Sequence, residues 1–356
     1  AQALSSNYNL SSNLPAAGTN NAVTITAKTV SLSAAKTYDG SADMTSHVTV
    51  TTGVTGESLG HTGVSANSKD VASADRISAI TLTDNGAALA SNYQLPNLSV
   101  TSASNTATIS KANLTQVTAA KTYDRLSTVT AAQMTVIAGV NGETFTSSAG
   151  TATISDKNVA TANKTLTDLS GLTLTGNTAQ ALSSNYNLSS NLPAAGANNA
   201  VTITALSLTP TITAEDKTYD QTHAATLTSQ TLSGVISGDT VSLSPGIVST
   251  FASADVARNT SGHVTSQTVS ASGLSLSGAD ASNYALTSST ATTSATINPQ
   301  SVTVAITASD KTYDQTATAA VTRTPSGIFS SDAADVTIGS TSNTFELGST
   351  DTITCG

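Results

Sequence analysis

Apolar and polar residues alternate with a period of two along many short segments of the chain. Clear examples are 22–26 (Ala-Val-Thr-Ile-Thr), 47–51, 80–83 and 302–306. This alternation is typical of strands that bury one face. Gly, Asn, Asp and Ser interrupt the segments at short intervals, as turns between strands require. The stretch 73–78 is too short and polar to predict a helix, so the pattern predicts an all-β chain.

Two short motifs recur along the chain in a fixed order. Lys-Thr-Tyr-Asp occupies 36–39, 121–124, 217–220 and 311–314, and Ser-Asn-Tyr occupies 6–8, 91–93, 184–186 and 282–284. Together the two motifs contain all eight tyrosines of the chain. Self-similarity of this kind predicts an array of tandem modules.

Other landmarks divide the array into modules. Each repeat has a Gly-Val followed by Gly-Glu or Gly-Asp, then Asp-Val or Asn-Val, and closes on Ala-Thr-Ile or Val-Thr-Ile. The closing strands predict these segments: the C-terminal part of a module at 1–27, whole modules at 28–111, 112–205 and 206–298, and the N-terminal part of a module at 299–356. Residues 1–27 repeat 179–205 with one difference, Thr19 for Ala197, which indicates recent duplication.

Several short strands in each module, with turn signals between them, predict a small antiparallel β-sandwich of the Ig-like kind. A mixed sheet of β-grasp type is the alternative. Contacts within a module and with its sequence neighbours would make the array an elongated rod.

Composition excludes several classes of function. Only 10% of the residues are charged and 3% are aromatic, and the net charge of −9 disfavours nucleic acid, whose phosphates require clustered Lys and Arg. No apolar run is long enough to span a membrane. The single cysteine, Cys355, allows no internal disulfide, although an intermolecular one stays open.

The repeated motifs give the candidate site residues a structural role. With no Trp and only four Phe in the chain, the tyrosines are expected to anchor thin cores, the aspartates to cap backbone N–H groups in turns, and the asparagines to form turns at strand entries. The residues are Lys36, Tyr38, Asp39, Asn92 and Tyr93; Lys121, Tyr123, Asp124, Asn185 and Tyr186; Lys217, Tyr219, Asp220, Asn283 and Tyr284; and Lys311, Tyr313 and Asp314.

The ordered set of motifs resembles the YDG repeat domain, which is named for its Tyr-Asp-Gly and occurs in tandem in very large bacterial surface proteins such as filamentous-haemagglutinin-like adhesins. The resemblance covers essentially the whole chain. Gly40 completes the Tyr-Asp-Gly string once, whereas Arg125, Gln221 and Gln315 stand in its place elsewhere. The resemblance implies an extracellular, non-enzymatic stalk at the bacterial cell surface, with any export signal outside this sequence.

No residue pattern predicts catalysis. The four histidines, His47, His61, His223 and His263, do not recur at equivalent positions and have no metal-ligand spacing. Cys355 has no histidine nearby in sequence. We expect no enzyme activity and no cofactor, with calcium in the Asp-containing turns as an alternative.

Lys36, Asp39 and Asn92, with their counterparts in later modules, also suggest a self-formed Lys–Asn isopeptide bond assisted by a carboxylate. Such a bond requires an apolar setting that lowers the pKa of the lysine. The alternative is that these lysines are solvated charges at strand edges, where they limit edge pairing.

The sequence leaves three functions open. The first is a passive stalk segment of an adhesin, whose partners are neighbouring modules and whose glycan contacts lie in a region outside this chain. The second is a filament subunit that polymerises by strand complementation between the partial modules at its two ends. The third and weakest is glycan or ice binding by the modules themselves.

Overall fold

The computed structural model describes residues 23–312, 314–316, 318 and 320–338. These residues form strands and single 3₁₀ turns, and none of them is in an α-helix. The predicted all-β class is confirmed. The chain forms two compact units, Ala1–Thr204 and Ala205–Gly356. Within the described residues no helix has the length and apolarity needed to cross a membrane.

The first module of the first unit is built around a central strand with alternating burial. Its strands are β1 (Lys28–Thr29), β2 (Ser31–Thr37), β3 (Val48–Thr51), β4 (Gly60–Ala66), β5 (Ile77–Thr83), β6 (Tyr93–Gln94) and β7 (Asn105–Ser110), with a 3₁₀ turn at Ala90–Asn92. Strand β2 pairs antiparallel with β3 and parallel with β7. Leu32 of β2, Met44, Ile77 and Ile109 are almost fully buried and form the core.

The second module repeats this plan with a longer hairpin strand. Its strands are β8 (Ala112–Asn113), β9 (Gln116–Thr122), β10 (Thr128–Thr130), β11 (Met134–Ala138), β12 (Phe145–Ile154), β13 (Leu166–Asp168), β14 (Leu172–Gly176), β15 (Tyr186–Asn187) and β16 (Asn199–Thr204), with 3₁₀ turns at Ala131–Gln133, Val140–Gly142 and Ser183–Asn185. Strand β9 lies between antiparallel β11 and parallel β16. Strand β12 pairs antiparallel with β10, β13 and β14.

The second unit contains the third module and the described part of a fourth. Its strands are β17 (Leu206–Ala214), β18 (Lys217–Thr218), β19 (Leu227–Ser233), β20 (Ser242–Leu243), β21 (Val248–Phe251), β22 (Gln267–Ser272), β23 (Leu276–Ser277), β24 (Tyr284–Leu286), β25 (Thr290–Ala295), β26 (Ile297–Asn298), β27 (Thr303–Ala308) and β28 (Val321–Ser326), with a 3₁₀ turn at Ala281–Asn283. Among its described residues, one core cluster lies around Phe251 and Val269 and another around Ile212 and Ala271.

In each of the first three modules, strands at the start of the module run parallel to strands at its end. The parallel pairs are β1 with β6 and β2 with β7 in the first module, β8 with β15 and β9 with β16 in the second, and β17 with β24 and β18 with β26 in the third. The strand pairing is mixed and not antiparallel throughout, as in the mixed-sheet alternative, because the rest of each module acts as the crossover that a parallel pair requires. Since parallel neighbours start at the same end, the chain enters a module at one end and leaves it at the other.

Candidate functional site: the module junction

The lysine of each Lys-Thr-Tyr-Asp motif closes a tight turn with the aspartate of the same motif. The Nζ atoms of Lys36, Lys121, Lys217 and Lys311 lie 2.7, 2.5, 2.7 and 2.9 Å from Oδ1 of Asp39, Asp124, Asp220 and Asp314. Each ammonium also donates to backbone carbonyls of the turn, such as that of Asp43 for Lys36. The Lys36 and Lys121 side chains are only 2% and 0% exposed, so they are internal turn ligands and not solvated strand-edge charges.

The aspartate of the motif fixes the backbone that follows it. Its Oδ1 accepts the N–H of the residue two positions later, which is Ser41, Leu126, Thr222 or Thr316. The residue between them has positive φ in all four copies: Gly40 83°, Arg125 69°, Gln221 66° and Gln315 66°. The left-handed turn therefore persists where Gly40 has no glycine counterpart, because the carboxylate hydrogen-bonds to residues on both sides of it.

Neutralising Lys217 is expected to raise the pKa of Asp220. The hydrogen bond from Lys217, together with those from the Thr222 N–H and hydroxyl, lowers this pKa from 3.8 to about 2. Because the pKa of Asp220 is lower in the folded state than in the unfolded state, its carboxylate contributes fully to folding stability above the unfolded-state pKa. This contribution is lost as the pH falls towards 2. In Lys217→Gln, a carbon-detected NMR titration should show the pKa of Asp220 raised from about 2 towards 3.8, with the hydrogen bonds from Thr222 still holding it below that value. The same titration of Lys111→Gln, which removes an exposed charge, should leave it unchanged; an equal shift in both would contradict the assignment.

In the three Ser-Asn-Tyr motifs that the structure describes, the tyrosine binds the acidic residue of its own module's Gly-Glu or Gly-Asp. Tyr186 donates to Glu143 Oε2 at 2.7 Å and Tyr284 donates to Asp239 Oδ2 at 2.6 Å, while Tyr93 donates to Glu57. A Cβ added at Gly139 would overlap the Tyr186 phenol, so glycine at this position admits the ring. The sequence contained both halves of this pair but gave no sign that they meet.

The motif tyrosine of the first module reaches into the second module. Tyr38 donates to Glu143 Oε1 at 2.7 Å, so that one carboxylate accepts a tyrosine hydroxyl from each module. The rings of Tyr38 and Tyr186 meet edge to face with centroids 5.5 Å apart, and Phe145 packs on Tyr186 at 5.3 Å. Tyr38 was expected to anchor its own module, whereas the structure places its ring and hydroxyl against the next one.

Lys69 supplies the positive charge at this junction. Its Nζ donates to Tyr38 Oη at 2.9 Å and to the Gln180 carbonyl at 2.6 Å, and lies 3.8 Å from Glu143 Oε1. Burial, reinforced by the hydrogen bond to Glu143, raises the pKa of both Tyr38 and Tyr186. Both hydroxyls therefore stay protonated as donors well above neutral pH.

The asparagine of the second Ser-Asn-Tyr motif completes the junction. Asn185 is fully buried; its Oδ1 accepts the Val71 N–H and its Nδ2 donates to Asp70 Oδ1, both at 2.9 Å. Asn141 also donates from its side chain to the Asp39 carbonyl. Asn185 and Lys121 have separate partners, so the geometry does not form the Lys–Asn pair of an isopeptide bond.

Asn185→Ala and Asn92→Ala form a matched pair for testing this contact. The first substitution removes two hydrogen bonds across the junction and should lower the free energy of unfolding of the first unit by about 1–3 kcal/mol. Asn92 is exposed and its side chain has no hydrogen-bond partner among the described residues, so its removal should cost less than about 0.5 kcal/mol. Urea unfolding of the two variants measures the difference, and equal losses would contradict a docking role for Asn185.

The same junction chemistry recurs in the second unit. Tyr219 donates to Asp332 Oδ2 at 2.9 Å, and its ring meets that of Phe329 edge to face at 5.9 Å. Asp332 follows Gly327 by five positions, as Asp239 follows Gly234. A Lys-Thr-Tyr-Asp tyrosine thus binds the acidic residue of the following module in both units.

Of the remaining predicted residues, Tyr123 and Asn283 are buried, and Tyr313 and Cys355 lie outside the described residues. Among the described residues, no cluster of three or more His, Cys, Asp and Glu side chains could hold a metal ion.

Two buried asparagines were not predicted from the sequence. Asn105 and Asn199 are 0% and 2% exposed, and each makes strand-like hydrogen bonds to both backbone groups of one residue, Ile77 or Leu166. Both stand two positions before the residue that begins the closing Ala-Thr-Ile or Val-Thr-Ile. That repeated spacing was the available signal.

The comparisons with known proteins agree with the repeat organisation. The YDG domain profile matches residues 106–194 and 202–293, which together make just over half of the chain. Each matched span contains a Lys-Thr-Tyr-Asp motif, an acidic residue and a Ser-Asn-Tyr motif. No curated protein and no solved structure matched the chain. The chain belongs to the YDG domain family.

Proposed function

We propose that this chain is a non-catalytic spacer, a stalk segment of an extracellular bacterial adhesin that holds a binding region away from the cell surface. The observation that carries the proposal is the junction centred on Glu143, in which one carboxylate joins tyrosines of two successive modules. A passive spacer needs defined contacts between neighbours, and it needs no catalytic group or cofactor. Its partners are then neighbouring modules, with host or matrix glycans bound elsewhere in the adhesin.

The strand order supports an extended array. Because strands at the start of a module run parallel to strands at its end, successive modules connect end to end without the chain folding back. We infer that the modules are small Ig-like β-sandwiches in an elongated rod. The junction hydrogen bonds resist bending, since bending would separate Tyr38 from Glu143 and expose both groups.

Small-angle X-ray scattering combined with sedimentation equilibrium tests the proposal. The chain should sediment as a monomer of 35.4 kDa and scatter as an elongated particle. Glu143→Ala should broaden the distribution of particle lengths by loosening the junction. A compact particle would overturn the spacer proposal, and long polymers of the unmodified chain would favour the filament subunit instead.

Antibody labelling of intact source cells tests the location. The proposal expects labelling at the cell surface without permeabilisation. Labelling that requires permeabilised cells would overturn the extracellular assignment.

A further inference from the structure

The first module has the same acceptor groups that the second module uses at its junction. Glu57 accepts Tyr93 as Glu143 accepts Tyr186, and Asn92 ends a 3₁₀ turn as Asn185 does. We name the surface formed by Val54, Glu57 and Asn92 the first acceptor face.

The first acceptor face is open where its counterpart is covered. Glu57 and Asn92 are exposed, whereas the Glu143 side chain is only 12% exposed and Asn185 is fully buried. Val54 is also exposed, at 38%. Glu57 Oε1 and the Asn92 amide have no hydrogen-bond partner within the part of the chain that the structure describes. Their counterparts are hydrogen-bonded, Glu143 to Tyr38 and Asn185 to Asp70 and Val71.

We propose that the first acceptor face is a docking site for the Lys-Thr-Tyr-Asp end of another YDG module. The motif tyrosine of the incoming module donates to Glu57 Oε1, and its Asp-Val or Asn-Val pair binds the Asn92 amide. The inference deepens the proposed function and rests on it, because it names the partner of a spacer module. The occupant is fixed by chemistry already present in this chain, where Tyr38 and Asp70–Val71 make these contacts.

The chain itself supplies a way to build the partner. Residues 1–27 repeat 179–205 with one substitution, so adding a copy of residues 112–178 before Ala1 completes a module sequence directly ahead of Lys28. The added copy carries Tyr123 and Asn158–Val159 in the positions of Tyr38 and Asp70–Val71. All 356 residues of the original chain are kept.

Disulfide trapping reports docking in this extended chain. At the existing junction a Cβ on residue 40 would lie 3.6 Å from the Asn141 Cβ, a spacing that suits a disulfide. Gly40→Cys with Asn141→Cys is therefore the positive control. Thr55 occupies the position of Asn141, so the test pair is Arg125→Cys in the added copy with Thr55→Cys, all variants carrying Cys355→Ser. The exposed Thr49→Cys on β3 replaces Thr55→Cys in the negative control.

The proposal expects the test pair to form a disulfide, measured by peptide mass spectrometry, with a yield close to that of the positive control. Asn92→Ala should reduce the rate of cross-linking in the extended chain about tenfold, the equivalent of losing its pair of hydrogen bonds. A yield no higher than that of the Thr49→Cys control would overturn the docking site. Scattering of the extended chain separates the two proposals, since a cross-linked but compact array would overturn the spacer and keep the docking site.

Discussion

Replacing Tyr186 with alanine is expected to lower the free energy of unfolding of the first unit by about 3–5 kcal/mol, the usual cost of deleting a buried aromatic side chain. The Tyr186 ring is fully buried between Tyr38 and Phe145, and its hydroxyl binds Glu143. The substitution therefore removes core packing of the second module and half of the junction at once. Hydrogen exchange measured by mass spectrometry should show faster exchange in both modules of the first unit.

Tyr186→Phe separates the contribution of the ring to stability from that of the hydroxyl. It keeps both ring contacts and removes only the bond to Glu143 and the acceptor for the Val140 N–H, so the expected loss is about 1–2 kcal/mol. The second unit serves as the internal reference, because it is a separate compact unit. A loss for Tyr186→Ala no greater than that for Tyr186→Phe would show that ring packing contributes little.

Asn199→Ala is expected to cost about 2–4 kcal/mol, the second largest effect. The Asn199 amide accepts the Leu166 N–H at 2.8 Å and donates to the carbonyls of Leu166 and Pro193 at 3.0 and 2.9 Å. Removing it leaves both backbone groups of Leu166 buried without partners and frees the partly buried Pro193 carbonyl, and each unpaired buried group is costly. The midpoint of urea unfolding should fall accordingly.

Asn198→Ala is the matched control for this substitution. Asn198 is the adjacent residue and the same type of side chain, but it is exposed, so its removal should change stability by less than about 0.5 kcal/mol. Asn199→Asp keeps the acceptor and loses both donors, and its cost should approach that of alanine. Equal stability of the Asn198 and Asn199 variants would contradict the role of the buried amide.

The sequence by itself determined the local features of this protein. Period-two alternation predicted the all-β class, because every second residue of a strand lies on the same face and is apolar when that face is buried. Repetition of motifs revealed the tandem array, and the aspartate of Lys-Thr-Tyr-Asp was expected to cap backbone N–H groups, which Asp39 does for Ser41. All of these depend on residues that are close together in the chain.

Only the tertiary structure decided what the repeated residues contact. Tyr38 and Glu143 are 105 positions apart, and their hydrogen bond depends on how two modules align, which no local pattern encodes. The positive φ of Arg125 was equally inaccessible, because the carboxylate and lysine that hold the turn override the residue's own backbone preference. Parallel pairing of strands at the start and end of a module likewise follows from the closure of a whole module, which brings together residues such as Leu32 and Asn105.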